Sequence, residues 1–116
     1  MGEGFIPFVN RSETSKIYID RIMLIEQELR KINIVTDEGQ YSRYGKIAEL
    51  SEYLDGRFLR CHNSYIINMD KVVKMREQTI FFENGFSIMM GRDKFLFAKQ
   101  SFANYMFTHS ARKSSQ

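Results

Sequence analysis

Between residues 16 and 90 this chain is written in short segments, and their length restricts what it can build. "KIYI" (16–19), "RIMLIEQE" (21–28), "RKINIVTD" (30–37), "QYSRY" (40–44), "VVKMRE" (72–77), "TIFFE" (79–83) and "FSIMM" (86–90) run four to eight residues each and favour Ile, Phe and Tyr. Segments of that length and makeup read as strands, so the fold is mainly β. In 30–37, Ile32 and Ile34 alternate with Asn33 and Val35, the pattern of a strand with one buried face. "DEG" (37–39) turns the chain and "QYSRY" returns as its hairpin partner. Asn84-Gly85 predicts a type I′ hairpin joining 79–83 to 86–90, and a further turn falls near Glu77-Gln78.

Two segments change period. In 46–56, Ile47, Leu50 and Leu54 share a helical face, and Asp55-Gly56 predicts a stop with Gly56 left-handed. In 92–107, Phe95, Ala98, Phe102, Tyr105 and Met106 recur at three and four, a C-terminal helix with an apolar stripe. Residues 1–14 read as an N-terminal arm or extra strand, with Pro7 favouring an edge. Residues 15–108 read as the domain and 109–116 as a flexible polar tail.

A chain of 116 residues suggests one domain. Its single cysteine, Cys61, allows no internal disulfide and fits a reducing compartment. No apolar run approaches the ~20 residues that span a bilayer, and the first ten residues lack the basic and apolar regions of a signal peptide. The expectation is a soluble cytoplasmic protein. The net charge of +3 is unevenly spread. Residues 1–56 hold seven Lys/Arg against ten Asp/Glu, whereas residues 57–116 hold ten against four. A polyanionic partner would explain the basic half, and so would a solvated basic face.

Enzymatic readings find little support. Cys61 and His62 are neighbours, which on a strand point to opposite faces and do not meet as nucleophile and base. Cys61, His62 and the distant His109 lack metal-ligand spacing, and no phosphate-binding glycine loop occurs. Nothing selects Glu26, Glu28, Glu49 or Glu52 for acid–base work. The chain is expected to be no enzyme and to need no metal or other cofactor and no small-molecule substrate. Three clusters remain that suit nucleic acid: Arg30-Lys31, His62-Asn63-Ser64, and Arg92 with Lys94.

The stretch "RFLRCHNSYIINMDKV" (57–72) closely resembles the central motif of the LytTR family of bacterial DNA-binding domains, through Phe58, Arg60, His62, Asn63, Ser64, Tyr65, Ile66, Ile67 and Asn68. "RIMLIE", "IAELSEYLDGRF" and "IFFENGFSIMMGRDKF" resemble its flanking elements, so the resemblance covers about residues 16–108. It implies an elongated arrangement of short antiparallel sheets with a short middle helix and a C-terminal helix. It also implies loops that enter successive major grooves, and regulation of transcription at direct repeats in promoters. The base-contacting positions map to Arg30 or Lys31, Asn63 and Arg92; at the second, most members carry Arg or Lys. Because Asn suits adenine where Arg suits guanine, the preferred site is expected to differ.

Arg60, Ser64, Tyr65, Lys71, Lys74, Lys94 and Lys99 are the candidate phosphate contacts. His62 and Asn68 are expected to brace the loop by hydrogen bonds. Double-stranded DNA is the expected partner, with a homodimer on DNA and an inhibitory membrane protein as further candidates. A protein-interaction module and a single-stranded nucleic-acid binder stand as alternatives.

Overall fold

A computed structural model describes residues 4–110. Among the described residues ten strands form three antiparallel sheets. β1 (Phe5–Val9) and β2 (Thr14–Tyr18) make a two-stranded ribbon. β3 (Ile22–Glu28), β4 (Lys31–Thr36), β5 (Gly39–Tyr44), β6 (Phe58–His62) and β7 (Tyr65–Asn68) form a five-stranded sheet in the order β5-β4-β3-β7-β6. β8 (Val72–Arg76), β9 (Thr79–Phe82) and β10 (Ser87–Met89) form a three-stranded sheet. Helix α1 (Arg92–His109) follows. The molecule measures 50 × 36 × 25 Å, and the mainly β arrangement of short sheets with a C-terminal helix is the one expected. The expected tail lies, beyond Ser110, outside the described residues.

The five-stranded sheet is the middle layer. One face carries Met23, Leu24, Cys61 and Ile67 against Val72, Ile80, Phe82 and Met90 of the second sheet and its exit, and against Phe95, Ala98 and Phe102 of α1. The other face carries Ile22, Ile25, Ile32, Ile34 and Ile66 against Ile6, Phe8 and Ile17 of the ribbon and Ile47 and Leu50 of the middle helix. Covering both faces corrects the half-buried reading of β4: Ile32, Asn33 and Ile34 are all buried. Asn33 tolerates this because its amide donates to Glu28 Oε1 at 3.0 Å and its carbonyl accepts from Ser42 Oγ at 2.6 Å. The near-continuous "IMLI" of β3 is the sequence trace of a strand covered twice.

Three local expectations are corrected. The middle helix is a 3-10 helix, Ile47–Tyr53. At three residues per turn Ile47 and Leu50 eclipse, so both reach the core and Leu54 is left outside the helix. Gly56 is not left-handed; the helix has already ended at Leu54 in extended backbone. The Asn84-Gly85 hairpin is not type I′, because only Gly85 has positive φ (90°). Gly85 N–H donates to Phe82 O, and Phe82 N–H to Phe86 O, enclosing a three-residue loop whose last residue must be left-handed. The type I′ geometry lies instead at Glu77-Gln78, with φ of 54° and 61°.

Cys61 is buried under α1, and burial pushes its thiol pKa up to about 11. Thiolate is therefore scarce at neutral pH. Folded protein is expected to react with iodoacetamide at pH 8 far more slowly than protein in urea, and equal rates would contradict this burial.

Candidate nucleic-acid interface

Strand register brings two of the three polar clusters to one end of the middle sheet. The β3–β4 turn is Leu29-Arg30, since Glu28 pairs with Lys31. β7 runs antiparallel to β3, with Glu26 opposite Tyr65 and Gln27 N–H donating to Ser64 O at 2.8 Å. The β6–β7 turn at Asn63-Ser64 therefore projects from the same end. Two strand spacings separate the turns, about 10 Å. Lys31 pairs with Tyr44, so the exit of β5 lies there too. Of the third cluster only Lys94 is brought in, through α1: a concavity of about 480 Å³ is lined by Arg60, Cys61, His62, Asn63, Asp93, Lys94 and Phe97, and Arg92 is not among them. Arg92 opens the helix two residues before Lys94.

The β6–β7 turn is built by its own side chains. His62 Nδ1 accepts from Ser64 N–H at 3.0 Å, and its ring lies edge-on to Tyr65. Arg60 Nη2 donates to Asn63 O at 3.3 Å. These bonds leave the Asn63 side chain exposed at the tip. Asn68, at the far end of β7, is fully buried. Its amide donates to Ile22 O at 2.8 Å and its carbonyl accepts from Asp70 N–H at 2.9 Å. It thereby caps the 3-10 helix Met69–Lys71 that carries the chain into the second sheet.

Gln27 was not singled out by sequence reasoning. Its Nε2 lies 2.9–3.1 Å from the carbonyls of Leu29, Lys31 and Gly45, and its Oε1 accepts from Ile47 N–H at 2.8 Å. One amide ties the β3–β4 turn to the β5 exit and the middle helix. A polar residue at the end of an apolar strand was the available signal, but only the fold supplies the carbonyls around it.

Both ends of the sheet carry carboxylates, Glu26, Glu28 and Asp93 among them at the Asn63 end, but the ion pairing differs. Arg30, Lys31, Arg60, Arg92 and Lys94 are exposed and form no ion pair among the described residues. Lys31 lies 5.6 Å from the Tyr44 ring, opposite Glu28 across the strands but without an ion pair to it. At the opposite end, Arg21 pairs with Glu38, and Arg57 with Asp20 and Asp55. The Arg57 guanidinium holds the Asp55 carboxyl below its ordinary range. There too the Tyr105 hydroxyl, at the end of α1, donates to Asp70. Burial and that carboxylate push the Tyr105 pKa up to about 12.

The remaining candidates divide. Lys71 is not brought to the Asn63 end; it sits beyond Asn68, 3.8 Å from Glu83. Lys74 is exposed on β8 over the Phe81 ring, and Lys99 is exposed midway along α1. Tyr65 is half-buried. Desolvation and the nearby Glu26, Cys61 and Glu28 raise its pKa, surroundings unfavourable to a phosphate. No cluster of metal-ligating side chains occurs among the described residues, and none of their helices is long and apolar enough to cross a membrane.

The family model described as the LytTr DNA-binding domain matches residues 12–101. Accessory gene regulator protein A of Staphylococcus epidermidis (strain ATCC 35984) is 33% identical over 78 residues, covering 62% of this chain and 32% of that protein. Its counterpart in Staphylococcus aureus (strain N315) is 32% identical over 77 residues, covering 61% and 32%. The chain thus spans about a third of the length of these curated relatives. Among solved structures, the LytTr DNA-binding domain of a Bacillus cereus response regulator superposes with a TM-score of 0.71 at 16% identity, covering 86% of this chain and 97% of that one. That likeness carries the fold.

Proposed function

The chain belongs to the LytTr DNA-binding domain family, and from that premise we propose that it regulates transcription by reading duplex DNA through loops placed in the major groove at direct repeats. The carrying observation is the convergence of exposed Arg30, Lys31, Arg60, Asn63 and Lys94 at one end of the sheet, without ion pairs among the described residues. In this reading Asn63 and Arg92 address base edges, with Arg30 or Lys31 as the third reader. Asn63 offers the donor and acceptor that adenine presents in reverse, and Arg92 the fork that suits guanine. Arg60, Ser64, Lys74, Lys94 and Lys99 hold phosphates, and the first turn of α1 adds its positive dipole. His62 and Asn68 hold the loop still. Tyr65 and Lys71 contribute through packing and pairing more than through DNA. Two copies on a direct repeat, a cytoplasmic location and restraint by a membrane partner extend the same proposal.

Arg92→Ala and Lys94→Ala separate reading from holding. Arg92→Ala is expected to lose about 1–3 kcal/mol on the preferred duplex and to relax preference at one base position. Lys94→Ala is expected to weaken every duplex alike and to lower the salt dependence by about one phosphate. Competition titrations on a panel of single-base variants measure both. A uniform loss for Arg92→Ala would remove it from the base-reading set. Preference for unpaired oligomers over duplex would favour the single-strand alternative.

A further inference from the structure

Leu29 is the most exposed large apolar residue described, at 93%, and its φ is 57°. Both facts run against expectation. The first central position of a two-residue hairpin with positive φ there normally takes glycine, and a leucine in this region is strained. A leucine left in water at a turn tip contributes nothing to the core. The strain is held in place by its neighbours. Gln27 Nε2 lies 3.0 Å from Leu29 O, and Gly45 N–H donates to Arg30 O at 2.9 Å. Strained residues that their surroundings over-determine gather at ligand-binding sites.

The neighbourhood indicates which ligand. Leu29 precedes Arg30 and Lys31, and together with Glu28 and Tyr44 they line a concavity of about 520 Å³. The turn projects from the same end of the sheet as Asn63, about two strand spacings from it. An apolar tip followed by two exposed cations, with the preceding Glu28 turned to the Asn33 amide, is poorly suited to a dry protein interface, where unpaired charges are costly. It suits the major groove, where phosphates meet the cations and one base presents an apolar group. That group is the thymine C5-methyl.

Resting on the duplex-reading function above, we propose that Leu29 is a specificity-determining residue that packs against a thymine methyl in the major groove, beside the base or phosphate addressed by Arg30. The left-handed backbone at Leu29 turns the side chain outward ahead of the cations, and Gln27 fixes that geometry. The contact adds a preference for T at one position that no hydrogen bond supplies.

The test uses the full chain and its selected duplex, with each thymine replaced in turn by deoxyuridine, which removes only the C5-methyl. Wild-type protein is expected to lose about fourfold in affinity at one thymine, the ratio that burial of one methyl gives. Leu29→Gly and Leu29→Asn both tolerate positive φ, so the turn is kept while the apolar tip is removed. Each is expected to bind thymine and deoxyuridine duplexes equally and to lose T preference at that position in a fresh selection. Wild-type insensitivity at every thymine, or the same fourfold loss in both variants, would overturn the inference while leaving duplex reading intact. If the wild type selects no duplex motif at all, the underlying function fails and this contact with it.

Discussion

Asn68→Ala is expected to destabilise the domain by about 2–4 kcal/mol and to lower Tm by roughly 10–20 °C. The side chain is fully buried and makes two hydrogen bonds to backbone, one to Ile22 O on β3 and one from Asp70 N–H in the 3-10 helix. Alanine leaves both partners dry and unsatisfied, and the unmade bonds cost more than the made ones contribute. The residue also sits where the chain passes from the five-stranded to the three-stranded sheet, so its loss loosens the junction between two layers. Urea titration followed by circular dichroism measures the effect. A shift in midpoint at constant m-value is the expected form. A change below about 0.5 kcal/mol, the range of ordinary surface substitutions, would mean that the bonds are replaceable and that Asn68 is not the brace of the motif.

The second large effect is on binding. If about six phosphates are neutralised by the cations around the Asn63 end and along α1, duplex affinity falls about a thousandfold between ~50 and ~200 mM salt. The contributing charges are identifiable in advance. Arg30, Lys31, Arg60 and Lys94 are exposed and lack ion pairs among the described residues, so a phosphate displaces no carboxylate from them. Arg57 lies at the other end, with two carboxylates on its guanidinium. Arg57→Ala is therefore expected to leave the salt dependence unchanged, whereas Lys94→Ala lowers it. An apolar interaction surface would show almost no salt dependence.

Much of the fold was legible because the strand segments are short and their residues favour β structure. What escaped were features set by tertiary surroundings. Asn33 and Val35 looked solvent-facing because alternation assumes one covered face, and the second cover comes from distant α1 and β8–β10. Asn84-Gly85 looked like type I′ because that turn favours the dipeptide. The register of Phe82 opposite Phe86 instead requires three loop residues, and the type I′ geometry fell to Glu77-Gln78, whose side chains gave no hint of it. The interface was legible as residue types but not as a place. Arg30 and Asn63 are far apart in sequence and share one end of the sheet only because β3 and β7 pair antiparallel. Lys71 has the right chemistry three residues past Asn68, yet β7 carries it to the wrong end. Gln27 and Leu29 carried no motif; one is meaningful through the carbonyls that surround it, the other through its exposure and its φ.

The most direct measurement is a selection from a random duplex library, followed by titration of the enriched sequence at two salt concentrations. Duplex reading predicts enrichment of a short motif occurring twice in the same orientation, bound with affinity that falls steeply with salt. No enriched motif, or binding indifferent to salt, would contradict it.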